Sequence, residues 1–258
     1  MAKTIAVVNQ KGGVGKTTSA VNLAAAVAAK GYKVLLVDID PQGNATSGLG
    51  VNKREMKISS YDVIINSLPV EKIMIHTEFT NLWLVPSSMN LAGAELELVD
   101  MAHREAKLKN SLALVKGIFD FIFLDCPPSL GLLTLNGLCA ADTVLVPIQC
   151  EYYALEGLSQ LMSTIRQIKR LYNPLIDMEG VLLTMFDGRL NLTHQVVEEL
   201  KRFFPRKVYN TVIPRNVKLS EAPSFGMPIL YYDKKSKGAE AYNDLADEFL
   251  IKNGKGAI

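Results

Sequence analysis

Residues 9–18 read Asn-Gln-Lys-Gly-Gly-Val-Gly-Lys-Thr-Thr, with three glycines and two lysines in ten positions. The segment follows an apolar run, Ile5-Ala6-Val7-Val8, and opens an Ala-rich stretch ending near Gly31. A strand, a glycine-rich turn and a helix start are the context in which free backbone N–H groups converge on a phosphate. The constraint on the fold is strong: the turn lies at the carboxyl end of a strand, and a helix begins on it. The spacing G-x-x-x-x-G-K-[ST] is met only at its end, by Gly15-Lys16-Thr17. Gln10 stands where the first glycine belongs, and Lys11 is an added cation. A second fixed lysine exceeds what one nucleotide pocket needs, so Lys11 is expected to reach a neighbouring subunit's phosphates.

Apolar runs alternate with longer amphipathic stretches along the chain. Strands are expected near 4–9, 33–38, 82–86, 119–125, 143–148, 179–185 and 208–213. Helices are expected near 16–29, 91–101, 104–116, 131–140, 154–171, 192–204 and 238–250. Runs such as Val34-Leu35-Leu36-Val37 and Phe121-Ile122-Phe123-Leu124 are apolar without a break. Such strands suit a sheet covered by helices on both faces. The fold class expected is α/β, a doubly wound, mostly parallel sheet of the P-loop NTPase type, with one domain over residues 1–258. The stretch 43–80 resists placement and is expected to be a surface excursion.

With 258 residues, 48% of them hydrophobic, the chain can bury a sizeable core. No apolar run reaches the roughly 18 residues of a membrane span. Met-Ala-Lys-Thr leads straight into the first strand, which leaves no room for a signal peptide and makes a cytoplasmic location the expectation. Cys126, Cys139 and Cys150 are odd in number and lack C-x-x-C spacing, so they are expected as small buried hydrophobes. His76, His103 and His194 have no metal-ligand spacing, and Trp83 is expected in the core.

Within the loop, Gly12, Gly13 and Gly15 let the backbone approach phosphate oxygens. Lys16 would neutralise the β- and γ-phosphates, and Thr17 would place its hydroxyl on Mg²⁺. The second strand ends Val37-Asp38-Ile39-Asp40-Pro41-Gln42. Its two carboxylates are two residues apart and so point the same way in an extended strand. Asp40 is assigned to the attacking water and Asp38 to the metal shell, although Asp-Pro also suits an ordinary turn. Phe121-Ile122-Phe123-Leu124-Asp125 is an apolar strand ending in a carboxylate, and Asp125 would bind Mg²⁺ through water. Pro127-Pro128 gives a stiff exit, suited to a γ-phosphate sensor or simply to a rigid loop. Pro214 and Asn216, after another expected strand, can flank and read a flat base, or form a plain turn.

The formal net charge is only +2. Basic residues nevertheless crowd the last quarter, from Lys201 and Arg202 to Lys234, Lys235 and Lys237. They fit either solvated faces or a positive patch.

Taken together, these blocks resemble the ParA/Soj partition ATPases, within the deviant Walker A group that includes MinD. The resemblance spans nearly the whole chain. It rests on Lys11-Gly12-Gly13-Val14-Gly15-Lys16-Thr17-Thr18, on Asp38 to Thr46, on Leu124 to Ser129, on Pro147 to Glu151, and on Ile213 to Ser224. It implies ATP and Mg²⁺ as cofactors and an ATP-sandwich homodimer, in which Lys11 crosses the interface and Gly12 allows close approach. It implies a nucleotide site built from residues 11–18 with Pro214 and Asn216, and slow ATP hydrolysis by a water that Asp40 positions. It also implies sequence-independent binding of double-stranded DNA, for which Arg189, Lys201, Arg215, Lys218 and Lys235 are nominated. A ParB-type partner would stimulate hydrolysis, the protein would be nucleoid-associated, and the cargo would be a chromosome or plasmid. Because the sequence opens at the first expected strand, the helix-turn-helix domain of the larger plasmid relatives is not expected.

The alternatives are a MinD-like membrane-cycling ATPase, a metabolic enzyme on the same loop, and an ATP-binding scaffold without turnover. The first needs a basic amphipathic C-terminal helix. The segment 242–258 instead carries Asp244, Asp247 and Glu248 before a Gly-rich tail, so no membrane partner is expected. A dimer-spanning Lys11 argues against the second, and the set Lys16, Thr17, Asp40 and Asp125 against the third.

Overall fold

The computed structural model describes residues 1–151 and 153–256. Seven strands build one sheet: β1 (Lys3–Val7), β2 (Val34–Asp38), β3 (Ile75–His76), β4 (Leu82–Val85), β5 (Phe121–Asp125), β6 (Thr143–Gln149) and β7 (Asp177–Thr184). Their spatial order is β3-β4-β2-β5-β1-β6-β7, and every pairing is parallel except β3 with β4. The helices are α1 (Lys16–Ala29), α2 (Asn44–Gly48), α3 (Ser60–Ile64), α4 (Leu91–Leu98), α5 (Lys107–Ala113), α6 (Leu132–Ala140), α7 (Ala154–Leu171), α8 (Asn191–Phe203), α9 (Val217–Glu221), α10 (Ile229–Tyr232) and α11 (Lys237–Lys252). The doubly wound, mostly parallel sheet is the one the alternating pattern calls for.

β5 shows why the central strands are apolar throughout. Phe121 and Phe123 enter one core with α1 and α11, while Ile122 and Leu124 enter a second core with α4 to α8. Alternate residues face opposite sides of a strand, so a sheet buried on both faces needs no polar positions. On the first face Phe249 of α11 lies 5.1 Å from Phe121 and 5.5 Å from Phe123, centroid to centroid. That aromatic contact seats α11 against the sheet. Cys126 and Cys139 are buried free thiols, and Cys150 is half-buried. Trp83 is also only half-buried, its ring between His76 (4.8 Å) and Phe119 (5.4 Å).

Two expectations need correction. The stretch 43–80 is not a surface excursion: Ala45, Thr46, Val63, Ile64, Val70 and Ile73 are buried, and β3 adds an antiparallel edge strand. The segment 208–213 is not a regular strand. It runs beside β7 and bonds at its ends, through Tyr209 N–H to the Val181 carbonyl (2.9 Å) and Ile213 N–H to the Leu183 carbonyl (2.8 Å). Between them the ladder is broken, because the N–H groups of Asn210 and Thr211 donate to the Glu248 carboxylate of α11 at 2.9 and 2.8 Å. No local propensity announces that competition, since Glu248 lies some forty residues further along. One close approach also depends on glycine. Gly226 has φ +65°, and a Cβ there would stand 2.5 Å from the Gly50 Cα, so the 222–226 turn packs directly on the end of the 43–50 segment.

No helix of the described residues is long and apolar enough to cross a membrane. Ala257 and Ile258, the end of the tail weighed against a membrane role, lie outside the described residues.

Burial works to raise the Glu248 pKa, but the two backbone donors and Lys252 outweigh it and hold the carboxyl below its ordinary value. Its stabilising contribution is therefore present above the unfolded pKa and lost as pH falls through the folded one. Glu248→Ala is expected to cost about 1–2 kcal/mol in urea unfolding at neutral pH. The gap to wild type should close in acid, below the ordinary glutamate pKa.

Candidate functional site

The carboxyl ends of β1, β2 and β5 are neighbours. Val7 pairs with Asp125, and Asp125 with Asp38, so the glycine loop and both strand-end carboxylates meet at one edge. This is where open α/β sheets hold ligands. Gly13 (φ +74°) and Gly15 (φ +82°) take the left-handed conformation, and Gly15 is the residue from which α1 starts. α1 has no side-chain cap at this end, so its first N–H groups stay available to an anion. Val14 is buried, and its carbonyl accepts from the Thr184 hydroxyl at 2.8 Å, which ties the loop to the end of β7.

Lys16 is 7% exposed, and its ammonium donates to the Lys11 carbonyl at 3.0 Å. Burial lowers its pKa, and the charges of Asp125 and Asp40 work against that shift. Asp125 is fully buried, and neither carboxylate oxygen has a well-formed hydrogen bond among the described residues. Burial first, and the nearby Asp38 charge second, push its pKa well up, while the Thr17 hydroxyl, close by but short of a formed bond, and the Lys16 charge oppose the rise. Leaving a buried carboxylate without donors is costly unless a ligand completes it. Among the described residues no three His, Cys, Asp or Glu are grouped to hold a metal by themselves. The donor set therefore suits a hard ion that keeps its waters and takes most of its ligands from phosphate, as Mg²⁺ does.

The two carboxylates of β2 differ. Asp38 is fully buried, and its oxygens accept from Thr46 N–H (2.8 Å), the Thr46 hydroxyl (2.7 Å) and Asp40 N–H (3.1 Å). Burial raises its pKa to about 6 against those hydrogen bonds. Its lone pairs are thus largely committed to its own loop, where a metal-shell role was expected. Among the described residues the Asp40 carboxylate accepts from the Gln42 N–H alone (2.9 Å), and Asp40 borders the cleft. Its carbonyl accepts from Ser87 Oγ (2.6 Å), which fixes the backbone behind it.

The cleft has a volume of about 510 Å³, within the usual range for small-molecule sites. Gly12, Gly13, Gly15 and Lys16–Thr18 line it together with Pro214, Arg215 and Asn216, which form its wall from the 213–216 segment. The Asn216 Oδ1 caps α9 by accepting from Lys218 N–H at 2.9 Å, which leaves the amide nitrogen for a ligand. Lys11 is not part of the wall. Its ammonium pairs with Glu151 beyond β6, and both side chains are 44% exposed. A Cβ on Gly12 would meet nothing within 4 Å in this subunit.

The nominated surface cations are only partly gathered. Arg189 follows β7, and Arg215 lies close enough to Asp187 for its charge to act there. Lys218 stands 5.7 Å from the centre of the Tyr232 ring, on the segment leading to the exposed Lys235. Lys201 sits apart, near the far end of α8, about 15 Å along the axis from its first turn. Thr184, Met185 (φ +48°) and Tyr242 also border the cleft and were not singled out in the sequence. The carboxyl-end rule, applied to β7, would have found the first two; Tyr242 carries no local signal.

Comparison with known proteins supports a single family. A family described as an AAA domain matches residues 2–178. The sporulation initiation inhibitor protein Soj of Bacillus subtilis (strain 168) is 57% identical over 254 residues, 98% of this chain and 100% of that one. The chromosome-partitioning ATPase Soj of Treponema pallidum (strain Nichols) is 49% identical over 255 residues, 99% of this chain and 100% of that one. Among solved structures, cobyrinic acid a,c-diamide synthase from Mycobacterium smegmatis, with bound ADP and magnesium, superposes with a TM-score of 0.86 at 38% identity, covering 100% of this chain and 97% of that one. With its doubly lysine-bearing loop, its strand-end carboxylates and these relatives, the chain belongs to the ParA/Soj group of ParA/MinD-type ATPases.

Proposed function

We propose that this chain is a DNA-segregation ATPase: an ATP-bound homodimer that holds double-stranded DNA without sequence preference and lets go after slow hydrolysis. The observation that carries this reading is one segment, 213–220, leading into α9, whose Pro214, Arg215 and Asn216 line the cleft while the Arg215 and Lys218 side chains are exposed. A nucleotide in the cleft and a polyanion on the surface thus act on the same few residues. The Soj relatives, one of them named a chromosome-partitioning ATPase, support the biological role.

The loop N–H groups and α1's N-terminus receive the phosphates, and Lys16 supplies the fixed charge. Mg²⁺, held by the Thr17 hydroxyl and through water by Asp125, would neutralise charge on the β- and γ-phosphates. Asp40, with its backbone fixed by Ser87 and its carboxylate on the cleft, orients the attacking water. Asp38 acts as a strut that sets the Asp40 and Thr46 backbone. Lys11 exchanges Glu151 for the phosphates of the second subunit. A ParB-type partner accelerates turnover, and the protein resides on the nucleoid.

Phosphate contacts need only cations at suitable spacing, and dimerisation doubles them, so a chain of net charge +2 can still switch on DNA. The exposed Asp244 and Asp247 on α11 would be repelled by anionic lipid, which argues against a MinD-like membrane cycle. A metabolic role like that named for the cobyrinate enzyme predicts ATP turnover that follows a small substrate and ignores DNA.

The deciding experiment is binding to random-sequence duplex with ATP or ADP across a salt series, using Asp40→Ala to block turnover. Tight binding with ATP alone, falling steeply with salt, is expected; no binding in either state refutes the proposal and sends the protein to liposomes and small substrates. Asp40→Ala itself should lower ATP turnover by about 10²–10⁴-fold. Gly12→Val should bind ATP and fold normally yet remain monomeric in light scattering, because nothing within the subunit crowds that position. Arg215→Glu with Lys218→Glu should keep the ATP dimer and lose at least about 10²-fold in DNA affinity near 100 mM salt.

A further inference from the structure

Two of the five nominated DNA-facing cations already hold carboxylates. Arg189 is one of the most exposed side chains on this face, at 89%, yet its guanidinium is engaged as a fork. Nε donates to Asp187 Oδ1 at 2.8 Å, Nη2 donates to Oδ2 at 2.6 Å, and the Arg189 backbone N–H adds a bond to Oδ1 at 3.1 Å. The Lys218 ammonium donates to Glu221 Oε2 at 2.9 Å, and the Tyr232 hydroxyl donates to the same oxygen at 3.1 Å. Among the described residues, the side chains of Lys201, Arg215 and Lys235 have no ion-pair partner.

Both ion pairs are local, two and three residues apart; the wider contacts of their carboxylates are the Arg189 N–H on Asp187, which shapes its own loop, and the Tyr232 hydroxyl of α10 on Glu221. Both lie in solvent, where an ion pair contributes little to stability. Each carboxylate does act strongly on its surroundings. The Arg189 hydrogen bonds first, and the Arg215 charge in addition, hold the Asp187 carboxyl down at about 2. The Lys218 bond first, and the Tyr232 bond second, hold Glu221 below its ordinary value. Both therefore stay ionised at any physiological pH. One acidic group thus holds Arg189, with Arg215 near enough for its charge to act on it, and another holds the lysine.

For a phosphate backbone this arrangement is a cost. A guanidinium fork matches carboxylate and phosphate equally well, so phosphate must displace Asp187 or share its arginine with a fixed negative charge. We propose that Asp187 and Glu221 are built-in counter-ions that mask Arg189 and Lys218 and hold down the affinity of this surface for duplex phosphate. The masks make DNA binding depend on the doubled contacts of the ATP dimer, because a single subunit presents too few free cations to bind alone. This inference rests on the reading that the face binds DNA, and deepens it by naming residues that limit the binding.

The test is duplex affinity and its salt slope for Asp187→Asn, Glu221→Gln and their combination, with ATP and with ADP, beside wild type and Asp187→Glu. Unmasking one phosphate contact per subunit should tighten ATP-state binding by about 3–10-fold and steepen the log–log salt slope by about 1–2 for the dimer. The double variant should also bind detectably with ADP. Asp187→Glu keeps the charge and should stay near wild type. Adding Arg189→Ala to Asp187→Asn should cancel the gain, a coupling that a change in loop structure alone would not produce. Equal or weaker binding by Asp187→Asn, with wild type binding normally, overturns the mask and makes Asp187 a support that aims Arg189 at phosphate. No duplex binding by any variant or by wild type with ATP refutes the DNA surface itself, and the mask with it.

Discussion

Everything at the carboxyl edge of this sheet depends on one buried ammonium set among three carboxylates. Lys16, Asp38, Asp40 and Asp125 are all less than a tenth exposed. Desolvation pushes Lys16 down and Asp38 and Asp125 up, each toward its neutral form. The cluster has surplus negative charge and an Asp125 carboxylate with no donor, next to a helix start whose N–H groups have no cap. Such a site is incomplete by construction. A phosphate would answer Lys16 and the helix, and a divalent cation would answer Asp125, so each ligand would make the other more favourable.

The scaffold holds this incomplete site rigidly. Parallel register sets Asp38 beside Asp125, and a sheet packed on both faces leaves those strands no room to shift. Asp38 spends its oxygens on Thr46 and the Asp40 backbone, and Ser87 holds the Asp40 carbonyl. Asp40 is thereby aimed by neighbours that never face the cleft. Thr184 does the same for the glycine loop from the opposite side. The cleft is therefore fastened at both ends, to β2 and to β7.

Those two fastenings also connect chemistry with the surface. β7 continues into Met185 on the cleft and then Asp187 and Arg189 outside it, while 213–216 crosses from the cleft wall to the cap of α9 and Lys218. Arg215 thus borders the cleft itself, Lys218 is two residues from Asn216, and Arg189 is four residues from Met185. Their charge is tempered by carboxylates in the same loops, which explains how a patch of this kind sits on a chain of near-neutral charge.

The sequence by itself determined the fold class, most of the strands, the phosphate loop and the carboxylates at strand ends, because these follow from local pattern: unbroken apolar runs, glycines before a helix, and acids where strands stop. It was also enough, by resemblance, to name the group the chain belongs to. The tertiary structure alone decided what each acid does. Asp38 and Asp125 look alike in sequence, as apolar strands ending in Asp, yet one is saturated by Thr46 and Asp40 and the other is left bare. It alone interrupted the 208–213 segment, through Glu248 from a distant helix, and turned Lys11 toward Glu151. The physical reason is common to all three: hydrogen bonds and charges are satisfied by whatever packing brings near, and chain proximity carries no record of that neighbourhood.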